Sequence, residues 1–111
     1  MKQDRTYLKH IQDSIATINR YVSVGYQEFI AHSHWQDATI RQLEIIGEAT
    51  KRLSPDIRTR YSHIPWRRIA GLRDILVHNY LGVDIDAVWE VTQQNLPELE
   101  NAIDQILREL E

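Results

Sequence analysis

One segment of the chain, Gly71-Leu72-Arg73-Asp74-Ile75-Leu76-Val77-His78-Asn79-Tyr80, crowds polar side chains into a stretch that also carries enough apolar residues to bury itself. Arginine presents a rigid planar fork of donors that fits phosphate oxygens, and it stays charged at any working pH. Histidine takes up and returns a proton near neutrality. Arg73 and His78 together are therefore a minimal set for cleaving an RNA phosphodiester without a metal. One group removes the proton of a ribose 2′-hydroxyl, the oxygen attacks the adjacent phosphate, and the guanidinium holds the charge that develops. Acid–base assistance is typically worth on the order of 10²–10⁴ in rate, and a placed charge partner a comparable factor. The same residue types also serve a plainer purpose, since an arginine and a histidine near a helix end commonly act as dipole partner and cap.

On a helix, Arg73 and Tyr80 lie about 20° apart around the axis and share a face, whereas His78 stands about 140° from Arg73. A long arginine must then reach His78 across a groove. Asp74 precedes His78 by four residues, close enough for its carboxylate to orient the imidazole. Leu72, Ile75, Leu76 and Val77 supply the anchor.

Other clusters are weaker. His32 and His34, with His10 or His63, have the types of metal ligands but the spacing of surface polar residues. Glu44 and Glu48 stand one turn apart, yet no Glu-x-x-His accompanies them, and ion pairs with Arg41, Lys51 or Arg52 account for them more simply. Trp35, Trp66 and Trp89 have the surfaces to stack on bases, but tryptophans spread this widely more often serve packing.

The elements that must position these residues follow a helical period throughout. Leu8, Ile11, Ile15, Ile18 and Val22 define a first amphipathic helix, with Gly25 as its stop. Tyr26 to Ala31 reads as a short helical turn packing Phe29 and Ile30, and His32 to Trp35 as a connection. Asp37 is the expected cap of a second long helix whose buried line is Ile40, Leu43, Ile46, Ala49 and Leu53. Gly47 inside it costs about 1 kcal/mol relative to alanine, which implies close approach of another backbone, a partner subunit being one candidate. Ser54-Pro55 ends that helix, and Pro55 to Tyr61 forms a further turn. A third helix is expected from Pro65 to Asn79 or Tyr80, stopping before Gly82. Asp84 caps a fourth, running from Ile85 to Leu110 with a kink at Pro97. The expectation is a single domain over residues 1–111, an all-α bundle of four principal helices plus short turns.

The chain has 111 residues and no cysteine, which excludes a disulfide scaffold, thiolate zinc sites and cysteine catalysis. No stretch has the length and apolarity of a membrane span, and the N-terminus lacks a signal-peptide pattern, so a soluble cytoplasmic protein is expected. The net charge of −3 conceals a strong division. Residues 51–73 carry Lys51, Arg52, Arg58, Arg60, Arg67, Arg68 and Arg73 against Asp56 alone, while residues 81–111 carry eight acids against Arg108. Local fields, not the whole-chain sum, decide where a polyanion lands.

Arg73-(four residues)-His78-Asn79-Tyr80 resembles the Arg-x4-His-x-Tyr motif of the HEPN superfamily, in the form carried by HepT-like proteins. Leu43-Glu44-Ile45-Ile46-Gly47-Glu48-Ala49 is similar to the family's second-long-helix segment. Ile64-Pro65-Trp66 with Ile69-Ala70-Gly71-Leu72 is similar to its approach to the motif, and Val83-Asp84 with Val88-Trp89 to its exit. The resemblance implies a helical bundle forming a two-fold homodimer, its motifs meeting in a shared cleft, with no cofactor or metal required. It implies a metal-independent endoribonuclease toxin of a type VII-like toxin–antitoxin pair. The neutralising partner would be a nucleotidyltransferase antitoxin of the MNT type, which in some pairs attaches AMP to the motif tyrosine, here Tyr80. Arg73 would bind the scissile phosphate and His78 would be the acid–base residue, with Asp74 and Asn79 in support. Lys51, Arg52, Arg67 and Arg68 would then form the approach surface for RNA, and the acidic segment would face solvent or a partner elsewhere. The alternative is a non-catalytic helical module that binds a nucleotide or the nucleotidyltransferase.

Overall fold

The apolar stripe of the first segment becomes helix α1 (Lys2–Val22), and Leu8, Ile11, Ile15 and Ile18 are fully buried along it. In the computed structural model, residues 2–72, 77–78 and 82–110 are described, with backbone alone at 2, 77–78 and 82–83. Gly25, at φ 93°, separates α1 from α2 (Tyr26–Ala31) in a backbone conformation that side-chain-bearing residues seldom adopt. The long helix α3 (Ser33–Lys51) follows, then α4 (Pro55–Arg60) and α5 (Trp66–Ala70). Two two-residue strands, β1 (Val77–His78) and β2 (Gly82–Val83), pair antiparallel with His78 opposite Gly82. Helix α6 (Ile85–Glu90) continues through a π-helical turn at Val91–Asn95 into α7 (Leu96–Glu109).

α1 packs against α3 and α7 and runs antiparallel to both. Asp4 meets Ser54 just beyond the end of α3, and the Tyr21 ring lies 6.2 Å from that of Trp35 near its start. On the other side Gln12 donates to Asp104 at 2.8 Å and Asn19 to Glu100 at 3.3 Å. Between the three helices lie Leu43 and Ile46 of α3 and Leu99, Ile103 and Ile106 of α7. Phe29, Ile57, Trp66 and Val88, one from each short helix, close the ends of this core. Each such side chain contributes about 1.5–3 kcal/mol on leaving water. The chain is thus an all-α bundle with one minimal strand pair near the motif. No helix of the described residues is long and apolar enough to cross a membrane.

Several local expectations meet different outcomes. Asp84 caps α6 as expected, accepting from the Ala87 amide at 3.0 Å; Ser54, expected only to end the preceding helix, also caps α4 through its hydroxyl. Asp37, however, does not start α3. The helix begins at Ser33, four residues earlier, so His32 alone is the connection. Ile30 is not packed but exposed, only Phe29 of that turn being buried.

The helix expected to reach Asn79 or Tyr80 is shorter: α5 ends at Ala70, and Val77–His78 is extended. His78 is therefore not part of a helix, and the helical-wheel relation expected for Arg73 and Tyr80 falls on residues outside those described. At Pro97 the chain stays helical, and the irregularity lies upstream, in the π turn. Proline lacks the N–H that would reach the Gln93 carbonyl, and its ring crowds that carbonyl. Widening the preceding turn by one residue accommodates both.

Candidate functional site

Gly47 fixes the approach to the motif. A Cβ there would stand 3.0 Å from the carbonyl oxygen of Ala70 and 3.6 Å from that of Ile69. The backbone that comes close is thus α5 of the same chain, lying directly across α3. Trp66 and Ile69 turn α5 inward, and the Trp66 indole donates to the Tyr61 carbonyl at 3.1 Å. Leu72, 8% exposed, is the last buried anchor before the motif.

Arg73, Asp74, Asn79 and Tyr80 lie outside the described residues. His78 is placed by its backbone in β1, opposite Gly82. The described residues that flank the motif are buried Leu72 on one side and, on the other, the β1–β2 pair followed by the Asp84 cap.

The basic residues are distributed over several places. Lys51 pairs with Glu48 at 3.4 Å on the exposed side of α3. Arg52 lines a shallow groove between α1 and α3 with Tyr7, His10 and Arg41. Arg58 is half-buried: its guanidinium donates to the carbonyls of Thr50 and Lys51 at 2.9 and 2.8 Å, while its Nε is buried without a partner among the described residues. Arg67 and Arg68 are exposed on α5. Of the four assigned to RNA contact, Lys51 and Arg52 share the end of α3, and Arg67 and Arg68 share α5, which packs on it.

Between α5 and the π turn opens a cavity of about 220 Å³ whose walls include Ile64, Ile69, Leu72, Leu96 and Leu99. His63, Arg68, Asn95 and Glu98 stand around it, all four exposed. Glu98 belongs to the acidic segment, so the expectation that acidic and basic segments occupy separate surfaces is corrected here. They also meet where the Tyr61 hydroxyl donates to Glu109 at 2.5 Å. That bond holds the Glu109 carboxyl below its usual range and pushes the Tyr61 phenol up. This cavity was not foreseen from the sequence; the one cue was Pro97, which disturbs the helix beside it.

The remaining candidates resolve into packing and surface pairs. The Trp89 ring lies 5.5 Å from Tyr26 and 5.1 Å from Phe29, and that of Trp35 4.6 Å from His34. His32 pairs with Glu28 at 3.3 Å. Among the described residues no three His, Cys, Asp or Glu side chains gather as metal ligands would.

Comparison with known proteins gives a consistent result. The family described as "Ribonuclease HepT-like" matches residues 11–106. "Putative RNase TTE0752" of Caldanaerobacter subterraneus is 40% identical over 109 residues, covering 97% of both chains. "Probable ribonuclease HepT" of Thermococcus cleftensis is 33% identical over 106 residues, covering 95% of this chain and 96% of its own. "Gamma-glutamylcyclotransferase and putative RNase MJ0434" of Methanocaldococcus jannaschii is 42% identical over the whole chain, which spans only 51% of that larger protein. No solved structure matches.

Proposed function

The chain belongs to the ribonuclease HepT-like family, and on that premise we propose that it is a metal-independent endoribonuclease toxin acting as a homodimer. The observation that supports this reading most is the complete motif Arg73-x4-His78-Asn79-Tyr80 inside the family match. His78 takes the proton of a ribose 2′-hydroxyl, and the freed oxygen attacks the adjacent phosphorus. Arg73 holds the non-bridging oxygens as negative charge accumulates. The bond to the 5′-oxygen breaks, and that oxygen leaves with a proton from imidazolium or water. The products are a 2′,3′-cyclic phosphate and a 5′-hydroxyl end. Asp74 orients His78, and Asn79 is a supporting residue within the motif.

Lys51, Arg52, Arg67 and Arg68 draw the RNA backbone in by charge, independently of sequence. The neutralising partner is an MNT-type nucleotidyltransferase that attaches AMP to Tyr80. The added phosphate is an anion two residues from His78, where it competes for the guanidinium and blocks RNA entry. The protein acts in the cytoplasm, where its RNA is.

The test is purified protein with RNA in excess chelator. Cleavage should persist, and Arg73→Ala and His78→Ala should each lower it by on the order of 10²–10⁴. If both variants cut like the parent, the activity lies elsewhere. If the parent binds nucleotide or the nucleotidyltransferase with no turnover, the chain is a binding module.

A further inference from the structure

The cavity between α5 and the π turn has the construction of a base-binding subsite, and we infer that it receives a guanine of the RNA beside the cleaved link. This rests on the ribonuclease reading and adds a specificity element to it. Leu72 forms part of the cavity wall and precedes Arg73 in the sequence, the residue to which the ribonuclease reading gives the phosphate. The walls are aliphatic, suited to the two faces of a flat heterocycle, and polar groups are confined to the mouth.

Those polar groups are uncommitted. Among the described residues, Arg68, Asn95 and Glu98 make no hydrogen bond or ion pair through their side chains. Asn95 and Glu98 are three apart on consecutive helical residues, which sets both on one side about 5–6 Å apart at Cβ. Val91 and Asn95, the first and last residues of the π turn, both line the cavity. Turns of this kind interrupt helices frequently at functional sites.

The chemistry of the mouth selects the occupant. Glu98 and Arg68 both stand at the opening, so its charge is mixed, and the apolar walls suit a base better than a phosphate. A carboxylate accepts, and guanine alone among the four bases offers two adjacent donors, N1–H and N2–H, on its Watson–Crick edge. Glu98 fits that pair. The Asn95 amide donates to O6, and Arg68 lies beside the mouth to hold the flanking phosphate. Unpaired bases are the ones whose edges RNA-binding proteins can read in this way.

The experiment is binding of guanosine, adenosine, cytidine and uridine 5′-monophosphates to the full chain, followed by titration calorimetry or ligand-observed NMR. GMP is expected to bind at least about tenfold more tightly than the other three. Glu98→Gln should abolish that preference and Asn95→Ala weaken it, with melting temperature unchanged because both side chains are exposed. Equal binding of all four, no binding of any, or undiminished GMP preference in Glu98→Gln overturns the inference. Cleavage is scored separately on oligonucleotides differing in one base. Cutting that Arg73→Ala abolishes, without GMP selectivity, removes the subsite and leaves the nuclease. GMP selectivity without any cutting keeps the subsite and removes the nuclease.

Discussion

The carbonyl oxygen of Ala70 stands 3.0 Å from the point that a Cβ on Gly47 would occupy. The missing side chain of one helix is thus the space through which the backbone of another passes, and that second helix leads directly to Leu72 and the motif. Two effects oppose each other in Gly47→Ala. Helix propensity favours alanine by about 1 kcal/mol, but the neighbouring atom is backbone and cannot swing aside. Overpacking at such contacts costs about 1–3 kcal/mol. The net expectation is a melting temperature lower by several degrees, with cleavage reduced more than stability explains. A variant that melts at or above the parent would show that α5 has room to retreat.

The Asp4 carboxylate, 2% exposed, accepts from the Ser54 amide at 2.8 Å and from its hydroxyl at 2.6 Å. Burial alone would raise its pKa; the bonds from Ser54 outweigh burial and hold it below the usual value. A carboxyl depressed on folding adds stability that is present above its unfolded pKa of about 4 and disappears as pH falls through the folded value. Asp4→Asn should therefore cost about 1.5–3 kcal/mol near neutrality. Urea melts of both proteins should converge below about pH 3 to 4. A deficit that stays constant from pH 7 to pH 3 would assign the effect to shape instead of charge.

For RNA approach, replacing Lys51, Arg52, Arg67 or Arg68 by alanine should weaken binding alike for all sequences. Each charge that contacts a phosphate contributes about 0.7 to the slope of log affinity against log salt on a single strand. Arg58→Gln should leave that slope untouched and lower the melting temperature, because its guanidinium is bound to the end of α3. A slope reduced by Arg58→Gln, and by none of the other four, would reverse the assignment.

Co-expression with the nucleotidyltransferase should add one or more AMP units to the intact mass, and the modified protein should lose cleavage. Tyr80→Phe should remain unmodified and active in the partner's presence. An AMP adduct that persists in Tyr80→Phe places the modification on another residue.

The apolar stripes of α1 and α7, the stop at Gly25 and the cap Asp84 were legible because local spacing and local hydrogen bonds determine them. The start of α3 was not. His32 supplies no side-chain cap, and the Gln36 amide reaches back to the carbonyls of Phe29 and Ile30. That bridge closes α2 and lets α3 begin early, a relation between elements that no window reveals. The short α5 was illegible for another reason. Ile75-Leu76-Val77 satisfies a helical period and a strand equally, and only pairing of Val77 with Val83 decides for the strand at that position. The types and order of the motif residues were readable; how α5 and the π turn would frame a cavity walled by Leu72 was not.

Arg58 has one more effect. Every helix ends in carbonyl oxygens that present a partial negative pole, and the pole of α3 lies at Lys51 and Arg52, among the residues set to greet a polyanion. The half-buried guanidinium of Arg58 donates to two of those oxygens. An arginine outside the proposed RNA set thereby offsets the partial negative charge these carbonyls would present beside Lys51 and Arg52.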